Sequence, residues 1–362
     1  MNEKFSHEDH RFMAACLRHA RRNRGLTGTN PSVGTLIVRE GRVVGRGITA
    51  QGGRPHAETL ALRQAGEAAR GATAYVSLEP CAHHGVTPPC AQALIDAGVS
   101  RVITAWIDPD ARVDGQGHAM LIEAGIKVET GLLAQMAARD LRGYLNRKTK
   151  NRPQVILKLA VSRDGMIGRQ GEEVSITGPL ARAYGHRMRA EVDGILVGRG
   201  TVQADDPDLT CRLSGLEQRS PHRFILDTNA TLSTESRLVN SALRVPVSLI
   251  TTKSALPSSL ASVGVRHFIA EAHDGTLALP EILEDMAASG LSSLLVEGGA
   301  QVACSFLEAN LVDEIALFRA PVEIGQGGIA SPITSDSVPD TFALARTLQL
   351  GDDTLELYSQ AS

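Results

Sequence analysis

One histidine, one glutamate and two cysteines stand where they could do chemistry together. Pro55-His56-Ala57-Glu58 is followed by Glu79-Pro80-Cys81 and Pro89-Cys90. His56, Cys81 and Cys90 offer three soft ligands to Zn²⁺ and leave the fourth tetrahedral position open to water. Metal binding brings the pKa of that water towards neutrality. Glu58, two residues beyond His56, can reach the water rather than the metal, take its proton, and help an amine depart as ammonia. Cys90 begins a helix by its pattern, and the positive end of a helix favours thiolate. Eight residues, AHHGVTPP, separate the two cysteines. A closed structural zinc site with His83 or His84 as fourth ligand is therefore the alternative, and it leaves Glu58 without a role.

A second polar set lies further along and holds no comparable cluster of metal ligands. Val197-Gly198-Arg199-Gly200-Thr201 is a weak phosphate-loop signal, with a tight turn as the alternative. Leu295-Val296-Glu297-Gly298-Gly299 feeds a helix near Ala300. Its glycines would either admit a phosphate to the backbone N–H groups or permit a close strand–helix crossing. Asp205-Asp206-Pro207, Arg189 and Arg212 complete the set, the arginines suiting either phosphate or ordinary surface pairing.

Strands and helices must hold these residues. Ser6 and Asp9 open a helix that runs to about Asn23, and 33–38 and 42–49 form a hairpin about Glu40-Gly41. Helices from His56 and Cys90 alternate with strands at 73–78 and 101–106, and helices follow at 116–124 and 132–145. NRKTKNRP, residues 146–153, breaks the pattern. Strands then recur at 155–162, 194–198, 223–228, 247–251, 294–297 and 314–318, with helices at 180–191, 280–288 and 300–309. This predicts two α/β domains, 1–147 and 152–362, each with helices packed on a largely parallel sheet. The 362 residues carry a net charge of −3 and 43% hydrophobic side chains, which argues against disorder and against a large phosphate-neutralising surface. No apolar run reaches the ~18 residues of a membrane span. The charged N-terminus is no export signal, and five sparse cysteines argue for reduced thiols, so a cytoplasmic location is expected. Cys16 and Cys304 suit a core.

His-x-Glu followed by Pro-Cys and a second Cys is the signature of zinc-dependent base deaminases, there with only two residues between the cysteines. NPSVG (30–34), GGRPHAETLAL (52–62), GATAYVSLEPCAHHGVTPPCAQALIDAGV (71–99) and Asp108-Pro109 closely resemble the deaminase half of the bifunctional riboflavin-biosynthesis pyrimidine deaminase/reductases, whose long insert ends in TPPC. The resemblance implies a cytidine-deaminase-like three-layer α/β/α domain, with His56, Cys81 and Cys90 as zinc ligands and Glu58 as the proton carrier. It places Asn30 near the pyrimidine, although a turn residue before Pro31 is the alternative. Val86 departs from the Lys or Arg common in that loop.

KLAVSRDGMIG (158–168), ITG (176–178), VGRGTVQADDPDLTCR (197–212), ILDT (225–228) and VEGGAQV (296–302) resemble the reductase half, which implies a dihydrofolate-reductase-like α/β domain using NADPH. By position, Ala160, Ser175, Thr201, Asp205, Thr228, Gly299, Ala300, Gln301, Val302, Ala303, Cys304 and Ser305 fall at cofactor contacts. Glu173, Arg189, Leu209, Arg212 and Glu297 fall at contacts to the ribosyl-phosphate substrate, and Lys158 and Asp205 at the reacting sugar carbon. Glu173 and Ser175 stand where the family commonly has Ser and Trp, and the 321–325 segment lacks the family's frequent Lys. The resemblance thus implies deamination of 2,5-diamino-6-ribosylamino-4(3H)-pyrimidinone 5′-phosphate, then reduction of its ribosyl group to ribityl. It also implies a homo-oligomer, a dimer or larger. Competing readings are a nucleic-acid base deaminase, a deaminase with a non-catalytic second domain, and a zinc-stabilised binding protein. Twelve aromatic residues (Phe, Trp and Tyr) in 362 offer few stacking platforms for nucleic acid, and no membrane partner is expected.

Overall fold

The computed structural model describes residues 4–84, 88–172, 174–273 and 275–360. The chain forms two compact units, Met1–Asn151 and Arg152–Ser362. In the first, α1 (His7–Ala20) starts on a capping box: Ser6 Oγ accepts from Asp9 N at 3.1 Å, and the Asp9 carboxylate accepts from Ser6 N at 2.9 Å. β1 (Gly34–Arg39) and β2 (Arg42–Ile48) turn at Glu40 and Gly41, both with positive φ. α2 (Ala57–Ala65), β3 (Thr73–Val76), α3 (Cys90–Asp96), β4 (Arg101–Thr104), α4 (Gln116–Glu123), β5 (Lys127–Thr130) and α5 (Ala134–Thr149) follow.

The sheet order is β2-β1-β3-β4-β5, with β1 antiparallel to both neighbours and β3, β4 and β5 parallel. Successive side chains of a strand face opposite ways, and this period sorts the core into two layers. Leu36, Val38, Tyr75 and Ile103 pack with Phe12, Met13, Cys16 and Leu17 of α1. Ile37, Ala74, Val76 and Val102 pack with Ala57, Ala61, Ala91, Leu94 and Leu121 of α2, α3 and α4. The result is an α/β/α sandwich. α2 lies so close to β2 that a side chain at Gly47 would stand 2.0 Å from the Ala57 carbonyl.

α5 continues through residues 146–149, where the sequence pattern had suggested a break. Arg147 and Lys148 fall in its last turn, where cations complement the helix dipole, and the chain turns away only at Asn151, which has positive φ.

The second unit runs β6 (Gln154–Val161), β7 (Met166–Arg169), α6 (Pro179–Arg189), β8 (Gly194–Gly198), α7 (Arg199–Asp205), β9 (His222–Leu226), β10 (Val247–Thr251), β11 (Arg266–Ile269), α8 (Leu279–Ala288), β12 (Ser293–Val296), α9 (Ala300–Glu308), β13 (Glu314–Arg319), β14 (Gly328–Ala330), β15 (Phe342–Leu350) and β16 (Asp353–Gln360), with shorter elements between. Nine strands form one sheet in the order β11-β10-β9-β8-β12-β6-β13-β16-β15. The strands from β11 to β13 are parallel, and the terminal hairpin adds two antiparallel strands. Val155, Leu157 and Val296 meet Ile282, Met286 and Phe306 of α8 and α9 on one face. Ile156, Ile195 and Leu295 meet Val202 of α7, Leu238 and Leu260 on the other. Among the described residues no helix is long and apolar enough to cross a membrane.

Candidate active sites

In the first unit, two helix starts bring the metal-type ligands together. His56 is the N-cap of α2, and Cys90 is the first residue of α3. His56 Nδ1 lies 3.3 Å from Cys90 Sγ and 3.7 Å from Cys81 Sγ. A tetrahedral zinc with ordinary bond lengths needs N···S separations of about 3.6 Å, so the donor set fits that ion. The three ligand atoms lie within 4.8 Å of one another, and no fourth His, Cys, Asp or Glu joins the group among the described residues. A closed structural site is therefore not what the geometry gives.

The electrostatics suit a cation. Hydrogen bonds from the Cys90 thiol and backbone N–H, with His56 beside it, hold the Cys81 thiol down at about 4 despite burial. Cys90 is driven upward, since a second thiolate next to the first is repelled when no cation separates them. Glu58, only 3% exposed, is pushed up to about 7 by burial and by the Cys81 thiolate. His56, Glu58 and Cys81 line a cavity of about 330 Å³, together with Asn30, His83, Asp108, Asp110, Arg112, Tyr144 and Lys148.

The loop carrying Cys81 is fastened from behind. The Glu79 carboxylate accepts from Asp108 N at 3.2 Å, Gly115 N at 3.0 Å and His118 N at 3.2 Å, at the start of α4. Gly117 of α4 lies directly on the Pro80 carbonyl, where a Cβ would stand 1.9 Å from the oxygen. Asp108 in turn accepts from Tyr144 Oη at 2.8 Å.

In the second unit a cavity of about 850 Å³ is lined by Arg189, Thr201, Asp205, Leu209, Arg212, Thr228, Gly299, Ala300, Gln301, Val302 and Ser305. Below it, Glu297 accepts from Arg189 Nε at 2.8 Å and Nη2 at 3.0 Å, and Lys158 Nζ lies 3.6 Å away. Burial would raise the Glu297 carboxyl, but Arg189 and Lys158 hold it at about 2. The two glycine motifs resolve differently. Gly198 caps α7, and a side chain at Gly298 would meet Val302 Cβ at 2.6 Å, so Gly298 permits a close strand–helix crossing. Gly299 N donates to Thr201 Oγ1 at 3.1 Å on the cavity wall.

Lys158, Ala160, Ser175, Glu297, Ala303 and Cys304 are not on that wall. Ala303 is fully buried in the core, Ala160 packs among the strands, and Ser175 is exposed and accepts from Arg182 at 3.0 Å. Glu173 and Val86 lie outside the described residues.

Comparison with known proteins matches both units. The family model for the cytidine and deoxycytidylate deaminase zinc-binding region covers residues 6–106, and that for the RibD C-terminal domain covers residues 153–355. The riboflavin biosynthesis protein RibD of Escherichia coli is 39% identical over 330 residues, spanning 88% of this chain and 89% of that protein. The chain belongs to the RibD family. RibD of Haemophilus influenzae is 38% identical over 367 residues, 97% of each chain. The solved structure of Acinetobacter baumannii RibD (form 1) is 34% identical with a TM-score of 0.87, covering 98% of this chain and 99% of that one. A Thermotoga maritima diaminohydroxyphosphoribosylaminopyrimidine deaminase/5-amino-6-(5-phosphoribosylamino)uracil reductase is 30% identical, with the same TM-score and the same coverage. The two-domain α/β architecture and the bifunctional deaminase/reductase type are those of the RibD family.

Within this RibD-family chain, sequence reasoning missed the residues that brace the sites. Glu79 read only as part of the cysteine motif, and Gly117 carried no signal. Arg223 is fully buried in β9, where it donates to Asp208 O at 3.0 Å and Ser241 Oγ at 2.8 Å and so holds the loop carrying Leu209 and Arg212. An arginine inside an otherwise apolar strand was the available clue.

Proposed function

We propose that the first unit hydrolytically deaminates 2,5-diamino-6-ribosylamino-4(3H)-pyrimidinone 5′-phosphate, with His56, Cys81 and Cys90 holding zinc and Glu58 moving the proton. The observation that carries this is the three-donor group, left without a fourth protein ligand among the described residues and facing a cavity that Glu58 also lines. Zinc supplies Lewis acidity that brings a water molecule's pKa towards neutrality. Glu58 takes the proton lost by the attacking water, delivers it to a ring nitrogen, and assists the exit of ammonia. Its burial keeps that proton from bulk solvent. Asn30, which donates to Gly53 O at 3.1 Å, lines the same cavity and orients the ring.

The second unit then reduces the ribosyl group to ribityl, and NADPH supplies the hydride. The wall from Thr201 through Thr228 to Ser305 receives the cofactor, while Arg189, Leu209 and Arg212 clamp the ribosyl phosphate. Lys158, held by Glu297, and Asp205 manage the proton at the sugar's reacting carbon. Ala303 and Cys304 serve through the helix they belong to, and Ala160, Ser175 and Glu173 are assigned by resemblance alone. The product is 5-amino-6-ribitylamino-uracil 5′-phosphate. The domain boundary falls between 147 and 152, the location is cytoplasmic, and the partners are small molecules and further copies of the chain rather than nucleic acid or membrane.

The test supplies the nucleotide and NADPH in one vessel and follows ammonia and cofactor absorbance separately. Glu58→Gln should keep zinc, lose ammonia release by roughly 10²–10⁴-fold, and still oxidise NADPH when given the deaminated intermediate. Full ammonia release by Glu58→Gln would overturn the deaminase reading.

A further inference from the structure

The deamination substrate proposed above carries a phosphomonoester as well as a pyrimidine, and the first-unit cavity has a place for it. Asp110, nearly buried, gathers two cations on one carboxylate. Arg112 donates from Nε to Oδ1 at 3.0 Å and from Nη2 to Oδ2 at 2.7 Å, and Lys148 Nζ lies 2.8 Å from the same Oδ2. The carboxylate is itself oriented from below, because Asp110 N donates to Asp108 Oδ1 at 2.9 Å.

The neighbouring Asp108 carboxylate also acts on Arg112, but its oxygens already accept from Tyr144 Oη and Asp110 N, so it does not take up the donors that Arg112 and Lys148 keep on the cavity wall. Asp110's oxygens are occupied by these donors. Beyond Asp110, Lys148 Nζ only stands over the Tyr144 ring at 5.9 Å, and Arg112 Nη1 makes none of the hydrogen bonds to Asp110, which Nε and Nη2 supply. All three side chains line the cavity that Glu58, His56 and Cys81 also line. His83, whose Nδ1 is buried without a partner among the described residues, lines it too.

We propose that Arg112 and Lys148, set side by side by Asp110, anchor the 5′-phosphate of the nucleotide during deamination. The inference rests on the deaminase reading. Neither residue touches the reacting ring, so their binding energy is drawn from a remote part of the substrate and positions the pyrimidine for attack. Charge-assisted contacts of this kind are sensitive to loss of either cation.

The experiment compares ammonia release from the nucleotide and from its dephosphorylated nucleoside. For the unmodified protein, inorganic phosphate at roughly millimolar concentration should compete with the nucleotide and leave nucleoside turnover unchanged. Arg112→Gln with Lys148→Met should lower kcat/KM for the nucleotide roughly 10- to 100-fold, chiefly through KM, and should move the nucleoside value less than about threefold. Equal losses for both substrates, or unchanged nucleotide turnover, overturn the anchor, as does phosphate that inhibits both substrates alike or neither. The phosphate arm needs no variant and so decides the matter even if the double variant folds poorly. Absence of ammonia from either substrate with zinc-loaded, unmodified protein would instead overturn the deaminase reading itself.

Discussion

Gly117→Ala should damage the metal site without touching any ligand. The added Cβ would stand 1.9 Å from the Pro80 carbonyl oxygen, 3.1 Å from its carbon and 3.3 Å from Glu79 Oε1. Relief requires α4 and the 79–81 segment to part by at least about 1 Å, because carbons do not approach oxygens within about 3 Å. That movement is opposed by the three N–H groups that Glu79 accepts. Overpacking of this size costs about 1–3 kcal/mol, and stretching hydrogen bonds to a charged acceptor adds to it, so the first unit should lose about 2–4 kcal/mol. Cys81 follows Pro80 directly, and a metal site tolerates only about 0.2 Å of ligand displacement. Zinc affinity should therefore fall roughly 10- to 100-fold, as it does when supporting groups around ligands are lost. Competition against a chromophoric chelator reads the affinity, thermal melting reads the stability, and NADPH oxidation by the second unit serves as the internal control. Gly185→Ala in α6, where a Cβ meets nothing within 4 Å, is the contrast: it should be neutral or gain about 0.5–1 kcal/mol. Wild-type zinc affinity and melting in Gly117→Ala would refute the reasoning.

Two further outcomes are expected. Glu297 is held at about 2, well below its ordinary 4.5, so its contribution to the second unit is complete above the ordinary carboxyl range and is lost as pH falls through about 2. That contribution is about 3 kcal/mol, and urea unfolding of Glu297→Gln should show a deficit of this order at pH 7 that closes towards pH 2. A deficit that stays constant over that range would contradict the assignment. Stripping zinc with a chelator should abolish ammonia release while NADPH oxidation with the deaminated intermediate continues. Parallel loss of both activities would mean that the metal is not confined to the first site's chemistry.

The zinc-type site was legible because metal chemistry restricts residue types and two helix starts fix where they fall. His56 and Cys90 are read at those starts and found there. The central strands of the second sheet were equally plain, since buried parallel strands are short apolar runs, but the half-exposed edge strand β11 went unread. What escaped has a common physical cause. β15 is an edge strand whose side chains are largely exposed, so FALARTLQL shows no apolar run, and the terminal hairpin went unread. α7 begins with Arg-Gly-Thr, whose Gly and Thr are poor helix formers that tertiary packing of Val202 overrides. Glu79 and Gly117 act through backbone groups 29 to 39 residues away in sequence, or through a close approach, and neither leaves a periodic trace.

One charge arrangement recurs in the two units and bears on what each cavity binds. In the first, Asp110 gathers Arg112 and Lys148; in the second, Glu297 gathers Arg189 and Lys158. Each is a near-buried carboxylate with two cations. In the second unit Arg189 and Glu297 are both nearly buried, so a second cation beside them is unfavourable unless something offsets its charge, whereas Arg112 in the first unit stays largely in solvent. The carboxylate orients the cations, and Arg112, Lys148 and Arg189 are the members of these groups that line their cavities. Both proposed reactions act on a molecule that carries the same phosphate, so cations oriented by a buried carboxylate are expected at each site, beside the reacting ring or sugar rather than on the open surface.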